Sequence, residues 1–170
     1  MSTRTRAELR DYVTAYSKME AANVLIVPAV MLLLSGGDIG WFSLLPLVTA
    51  AVLLVIGAQY WRAKARELDT GFVSRSWLIL LARLQYPMLC LVFLSSLSAT
   101  GAWIYQDMTR GLADRWVATV SAILGILEYV NYYHRQLQHF DNRRDLMRLL
   151  KGKGFPISHM ARDLRKLKNG

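Results

Sequence analysis

Three long apolar blocks, Trp41–Trp61, Pro87–Tyr105 and Trp116–Tyr133, limit what this chain can fold into. About 20 consecutive apolar residues cross roughly 30 Å of hydrocarbon as a helix, which satisfies its own backbone there. A fourth block, Ala21–Ser35, is shorter and reaches spanning length by borrowing Met19 and the Gly36–Gly37 turn. The expectation is an all-α integral membrane four-helix bundle with cytoplasmic helical extensions. Its parts are an amphipathic cytoplasmic segment (residues 1–20), the four-span bundle (21–133) and a basic cytoplasmic helical tail (134–170).

The charges fall between the apolar blocks. With 54% hydrophobic residues and a net charge of +9, this pattern fits a membrane protein with basic flanks better than a soluble basic domain, so nucleic acid is not an expected partner. The loop Gly36–Gly40 has no Lys or Arg, and Gln106–Arg115 has Arg110 and Arg115, leaving nineteen of the 21 basic residues on the other side. Both termini are therefore expected in the cytoplasm. About twenty polar residues of mixed charge precede the first block, so the N-terminus reads as retained rather than as a cleaved signal. The single cysteine, Cys90, excludes a paired-thiol relay and reads as a small buried apolar residue.

Between the blocks, "SGGDIG" closes a tight hairpin, and "RAKARELDTGFVSRS" extends the second helix until Gly71 breaks it. The third helix is too long for one perpendicular span, so its first two turns are expected at the inner interface, with Pro87 permitting a bend. Small residues four apart, Ser95/Ala99, Ser98/Ala102, Ala118/Ala122 and Ser121/Gly125, mark faces of the third and fourth helices that meet each other or a second copy. The fourth helix is expected to continue to about Lys151. After "KGKGFP", Ser158 is a fitting N-cap for a last amphipathic helix with Ile157, Met160, Leu164 and Leu167 on one side.

The acidic residue Glu128 interrupts the fourth block. At 100° per residue, Asn131, Arg135, Gln138 and Asn142 follow it on one stripe. A bare carboxylate in hydrocarbon costs at least about 2.5 kcal/mol, so Glu128 is expected to pair with Arg83, with Arg62 and Arg135 as alternatives. The expected structural polar cluster is Arg83, Gln85, Glu128, Asn131, Arg135 and Gln138, a polar inner vestibule under a dry outer half. His134 and His139 point about 140° apart, no metal site is expected, and no cofactor is implied. Asp141 and Asp145 match only the last part of the CDP-alcohol phosphotransferase motif, and His159 and Asp163 are one residue closer than the H-x-x-x-x-D of glycerolipid acyltransferases.

The stretch "EYVNYYHRQLQHFDNRRDLMRLL", with the later "MARDL", resembles a group of small, uncharacterised bacterial four-span membrane proteins. These carry an E-Y-x-N-Y-Y/F-H-x-Q-L segment and a basic tail. The resemblance covers about the last quarter of the chain and implies a bacterial inner-membrane location without an assigned activity.

No complete catalytic set is present. The functional expectation is a membrane scaffold or signalling component, forming homo-oligomers, whose tail engages anionic inner-leaflet lipid or a cytoplasmic protein through Arg143, Arg144, Arg148, Arg162, Arg165, Lys166 and Lys168. The alternatives are an enzyme acting on an inner-leaflet lipid headgroup or polyprenyl phosphate, with Glu128 and His134 as base and acid, and an oligomeric channel.

Overall fold

The computed structural model describes residues 6–71, 75–137 and 154–169. It is all-helical: α1 (Arg6–Leu34), α2 (Trp41–Thr70), α3 (Arg75–Ile104), a 3₁₀ turn (Gln106–Met108), α4 (Leu112–Tyr133) and α5 (His159–Asn169). Helix α2 packs against α1, α3 and α4, helix α3 packs on α4, and α5 lies against α3 and α4. Helices α1, α2 and α3 are long and apolar enough to cross a membrane. Helix α4 has 22 residues, and Asp114, Arg115 and Glu128 dilute its apolar stretch.

Local sequence explains where the helices stop. Gly36 and Gly37 take left-handed backbone, and the Gly37 N–H closes back on the Leu32 carbonyl at 2.8 Å, ending α1. Gly71 does the same for α2, with its N–H on the Glu67 carbonyl. The fourth helix departs from expectation: it ends at Tyr133 rather than near Lys151. The returning chain takes up the hydrogen bonds that a continued helix would use. Gln136 N–H donates to the Pro156 carbonyl at 2.9 Å, Ser158 N–H donates to the His134 carbonyl at 3.2 Å, and Arg135 bridges to Ile157. The remainder of the expected extension, from Gln138 onward, lies outside the described residues.

The small-residue faces meet each other. Ala99 and Ala102 of α3 cluster with Ala118 and Ala122 of α4, so the backbones approach closely. Toward the end of the bundle that carries α5, larger side chains fill the interior, including Leu53, Ile56, Leu81, Met88 and Tyr132. The outer faces are apolar: Leu25 is 74% exposed, Leu33 80% and Phe93 62%. A water-soluble surface does not carry this much contiguous hydrocarbon. Aromatic residues gather at both ends, Trp41, Trp103, Tyr105 and Trp116 at the loop end and Tyr12, Tyr16, Tyr60 and Trp61 at the end with α5. Trp41 and Trp61 lie on one continuous helix, so their levels are about 30 Å apart at about 1.5 Å per residue, the depth of a bilayer core.

The loop-end half is not dry. Ser43, Thr49, Ser95, Asp114 and Ser121 are all buried there. A carbonyl, a carboxylate or a second hydroxyl accepts from three of the four hydroxyls: Ser43 donates to Asp114, Ser95 to Thr49 Oγ1 and Thr49 to the Leu45 carbonyl, the last two at 2.8 Å, while the Ser121 hydroxyl has no partner among the described residues. Asp114 is the node of this half. Its carboxylate accepts the Gly40 N–H at 2.9 Å, the Arg110 N–H at 3.0 Å and the Ser43 hydroxyl. A Cβ at residue 40 would lie 2.5 Å from Asp114 Oδ2, so only glycine lets α2 begin there.

Asp114 precedes the apolar part of α4. Burial by itself would raise its carboxyl, but the bonds from Ser43, Arg110 and Gly40 outweigh this and hold it below its ordinary value. A depressed folded-state pKa stabilises above the unfolded value of about 3.9, and the benefit disappears as pH falls through the folded value. Thermal unfolding in detergent should therefore show wild type losing stability below about pH 4. Asp114→Asn should start about 2 kcal/mol less stable at pH 7 and show a flatter acid limb.

Candidate functional site

Glu128 and Tyr132, four residues apart on α4, share the face turned toward α1 and α2. The Tyr132 hydroxyl crosses the surface of α2 and donates to Glu20 Oε2 on α1 at 3.2 Å. It passes at Gly57, where a Cβ would overlap the hydroxyl and ring of Tyr132. One turn before Glu20, Tyr16 also hydrogen-bonds the Glu20 carboxylate, and its ring lies edge-on to Trp61 at 4.8 Å. Two carboxylates and two phenols from α1 and α4 thus converge across a notch in α2. Glu20 is 1% exposed, Tyr132 3% and Glu128 9%.

The expected partners of Glu128 are elsewhere. No ion pair joins Glu128 to Arg83, Arg62 or Arg135 among the described residues. Arg83 and Arg62 lie on exposed faces of their helices, and Arg135 donates to the Phe155 carbonyl at 3.0 Å after the chain has left α4. Glu128 instead has the side chains of Asn131 and Tyr132 in hydrogen-bonding reach and Glu20 within electrostatic reach, and its Oε2 is buried without a hydrogen bond. The physical reason is helix rotation: α4 turns Glu128 toward α1 and α2, whereas α3 turns Arg83 outward.

The expected polar cluster therefore divides. Asn131 stays with Glu128, and its Oδ1 accepts the Leu137 N–H at 2.9 Å, fixing the chain after the helix. Gln85 of α3 reaches the Tyr129 side chain. Arg135 belongs to the returning chain, and Gln138 lies outside the described residues. His134 is exposed at the end of α4 with its ring 5.4 Å from that of Tyr129, and it makes no contact with Glu128 that would pair them as acid and base.

Helix α5 docks under this site. The Ser158 hydroxyl donates to the Tyr132 carbonyl and accepts the Ala161 N–H at 3.0 Å, so the N-cap also ties α5 to α4. Met160 is 1% exposed and belongs to the core cluster, with Leu164 against it. Asp163 accepts from the Tyr60 hydroxyl at 2.9 Å and from Lys64 Nζ at 3.0 Å, and Lys64 also pairs with Glu67 at 2.8 Å. With its carboxylate engaged by α2, Asp163 acts as a clasp, and His159 rests on Trp61 at 5.6 Å. On the outward side Arg162, Arg165 and Lys166 are exposed, and Lys168 follows in the last turn. Arg143, Arg144 and Arg148 lie outside the described residues.

Compared with known proteins, the chain matches no family model, no curated protein and no solved structure. The geometry is thus the ground for a functional reading. Sequence reasoning missed the Glu20–Tyr132 bond and the Asp163 clasp, since partners 112 and 103 residues apart leave no local pattern. The one local trace is Gly57, a glycine inside an otherwise Ala-, Val-, Leu- and Ile-rich stretch of α2.

Gly57→Ala should displace Tyr132 and cost at least about 2 kcal/mol in unfolding. Glu128→Gln keeps the shape and removes one of two neighbouring carboxylates, so it should cost less than about 1 kcal/mol. Its double-mutant coupling to Arg83→Gln should fall within about 0.5 kcal/mol of zero, and a larger value would restore the Arg83 pairing.

Proposed function

We propose that this protein is a small membrane scaffold or signalling component of a bacterial inner membrane, with four spans and both termini in the cytoplasm. In this reading α5 is its contact surface toward anionic lipid or a cytoplasmic partner. The observation that carries the reading is the docking of α5. Its apolar side and its acidic residue face the bundle, so Arg162, Arg165 and Lys166 are held outward on a fixed platform. Each basic residue near an anionic surface contributes about 1 kcal/mol, and a preordered helix loses less entropy on binding than a free tail.

The platform differs from the one the sequence suggests, because α4 does not carry the tail outward as a long rod. Contact instead occurs next to the membrane, beside Trp61 and Tyr60. Turnover of a lipid headgroup has less support: Glu128 is itself buried, and Tyr132 beside it packs into the core. The exposed flanks of α1 and α3 suit lipid or a second copy.

The test replaces Arg162, Arg165 and Lys166 by Gln together, leaving Met160, Leu164 and Asp163 in place. In nanodiscs containing anionic lipid, wild-type α5 should exchange its amide hydrogens at least about tenfold more slowly than in neutral nanodiscs. The triple variant should lose that difference and also lose any cytoplasmic protein that wild type retains on purification. Equal exchange in both lipids, together with an unchanged set of retained proteins, would overturn the reading.

A further inference from the structure

At the loop end a groove of about 440 Å³ runs between the end of α1 and the start of α2. It lies where α1 ends and α2 begins. The Gly40 N–H and the Ser43 hydroxyl bind Asp114 of α4 and draw α2 inward, while the last turn of α1 ends in Gly36–Gly37 with Leu33 and Leu34 exposed. The walls are aliphatic: Leu32 from α1, then Ile39, Leu44 and Leu47, with Leu47 buried at the base. At the mouth stand Trp41, 83% exposed, and the Arg110 guanidinium. The mouth is thus at the level of the loop-end aromatic residues, where lipid headgroups lie, and the aliphatic walls continue into the hydrocarbon layer.

We propose that this groove is a binding site for one anionic phospholipid of the loop-side leaflet, its acyl chain against Leu32, Leu44 and Leu47 and its phosphate on Arg110. The groove volume lies in the range of sites that take small amphiphiles. Charge selects the headgroup. Arg110 and Arg115 are the basic residues of the two loops at this end, and Arg115 is stacked over Trp103 at 5.2 Å. Arg110 is the one that borders the groove, and its ion pair with Asp38 is long, at 3.6 Å, with both side chains more than half exposed. Such a pair is worth little, and a phosphate can replace it with two parallel charge-assisted bonds. A soluble anion would find the cation but leave the apolar walls unused, whereas phosphatidylcholine, whose phosphate is offset by its own trimethylammonium group, would fill the walls but bring no net charge to displace Asp38 from Arg110. The inference uses the membrane placement of the bundle and is independent of the role proposed for α5.

The experiment is native mass spectrometry of the delipidated full chain, titrated separately with phosphatidylglycerol and phosphatidylcholine of the same acyl chains. One phosphatidylglycerol should bind in preference to phosphatidylcholine, and inorganic phosphate should not displace it. Arg110→Gln keeps the backbone N–H that binds Asp114, so it should fold as wild type and weaken phosphatidylglycerol about tenfold. Asp38→Asn releases Arg110 and should tighten binding, and Leu44→Trp should fill the groove and abolish preferential binding. If Arg110→Gln and Asp38→Asn both bind phosphatidylglycerol as wild type does, or if phosphatidylcholine binds equally well, the proposal is wrong. This holds even should Leu44→Trp fail to fold.

Discussion

Helix α2 is held by carboxylates that reach it from distant parts of the chain, and the rest of the fold depends on these attachments. At one end Asp114 of α4 binds Ser43 and the Gly40 N–H, and at the other Asp163 of α5 binds Tyr60 and Lys64. Between them Tyr132 crosses α2 at Gly57 to reach Glu20 of α1. A buried carboxylate must find its donors within the protein, so each attachment fixes both distance and rotation. Hydrophobic contact could not do this, since helix sides and lipid tails are equally apolar.

The two ends use this constraint differently. At the loop end the Asp114 node is complete, with backbone and hydroxyl donors around one carboxylate, and it sets where α2 and α4 begin. Near α5 two carboxylates, Glu20 and Glu128, lie within electrostatic reach of each other, with phenols and an amide as donors. A charge pair with arginine would have pinned this region more tightly. The like-charged arrangement leaves α1, the least enclosed of the spanning helices, attached to α4 mainly through a single phenol.

Docking of α5 gives the basic tail a defined geometry. Its amphipathic pattern would equally suit a helix lying on lipid with its apolar side in the membrane. Met160 and Leu164 instead join the core formed by α2, α3 and α4, and the Asp163 clasp allows one rotation only. The cationic side is consequently turned away from the bundle.

Much of this architecture was legible in the chain. The apolar blocks marked four long helices, three of them long and apolar enough to cross a membrane, Gly71 ended α2, Ser158 capped α5, and the small residues of α3 and α4 marked faces that do meet. These features are local: period, length and capping chemistry act within a few turns, so a single segment contains the whole signal. Three other outcomes were decided by tertiary structure. Glu128 faces Glu20 rather than Arg83, α4 stops at Tyr133 because the chain near Pro156 takes its place, and the loop-end half holds Asp114 and four buried hydroxyl residues. Each depends on how one helix is rotated about its axis and on which distant segment lies beside it. A sequence records which residues share a helix face, whereas the direction of that face is set by which distant polar groups and apolar surfaces come to lie against it.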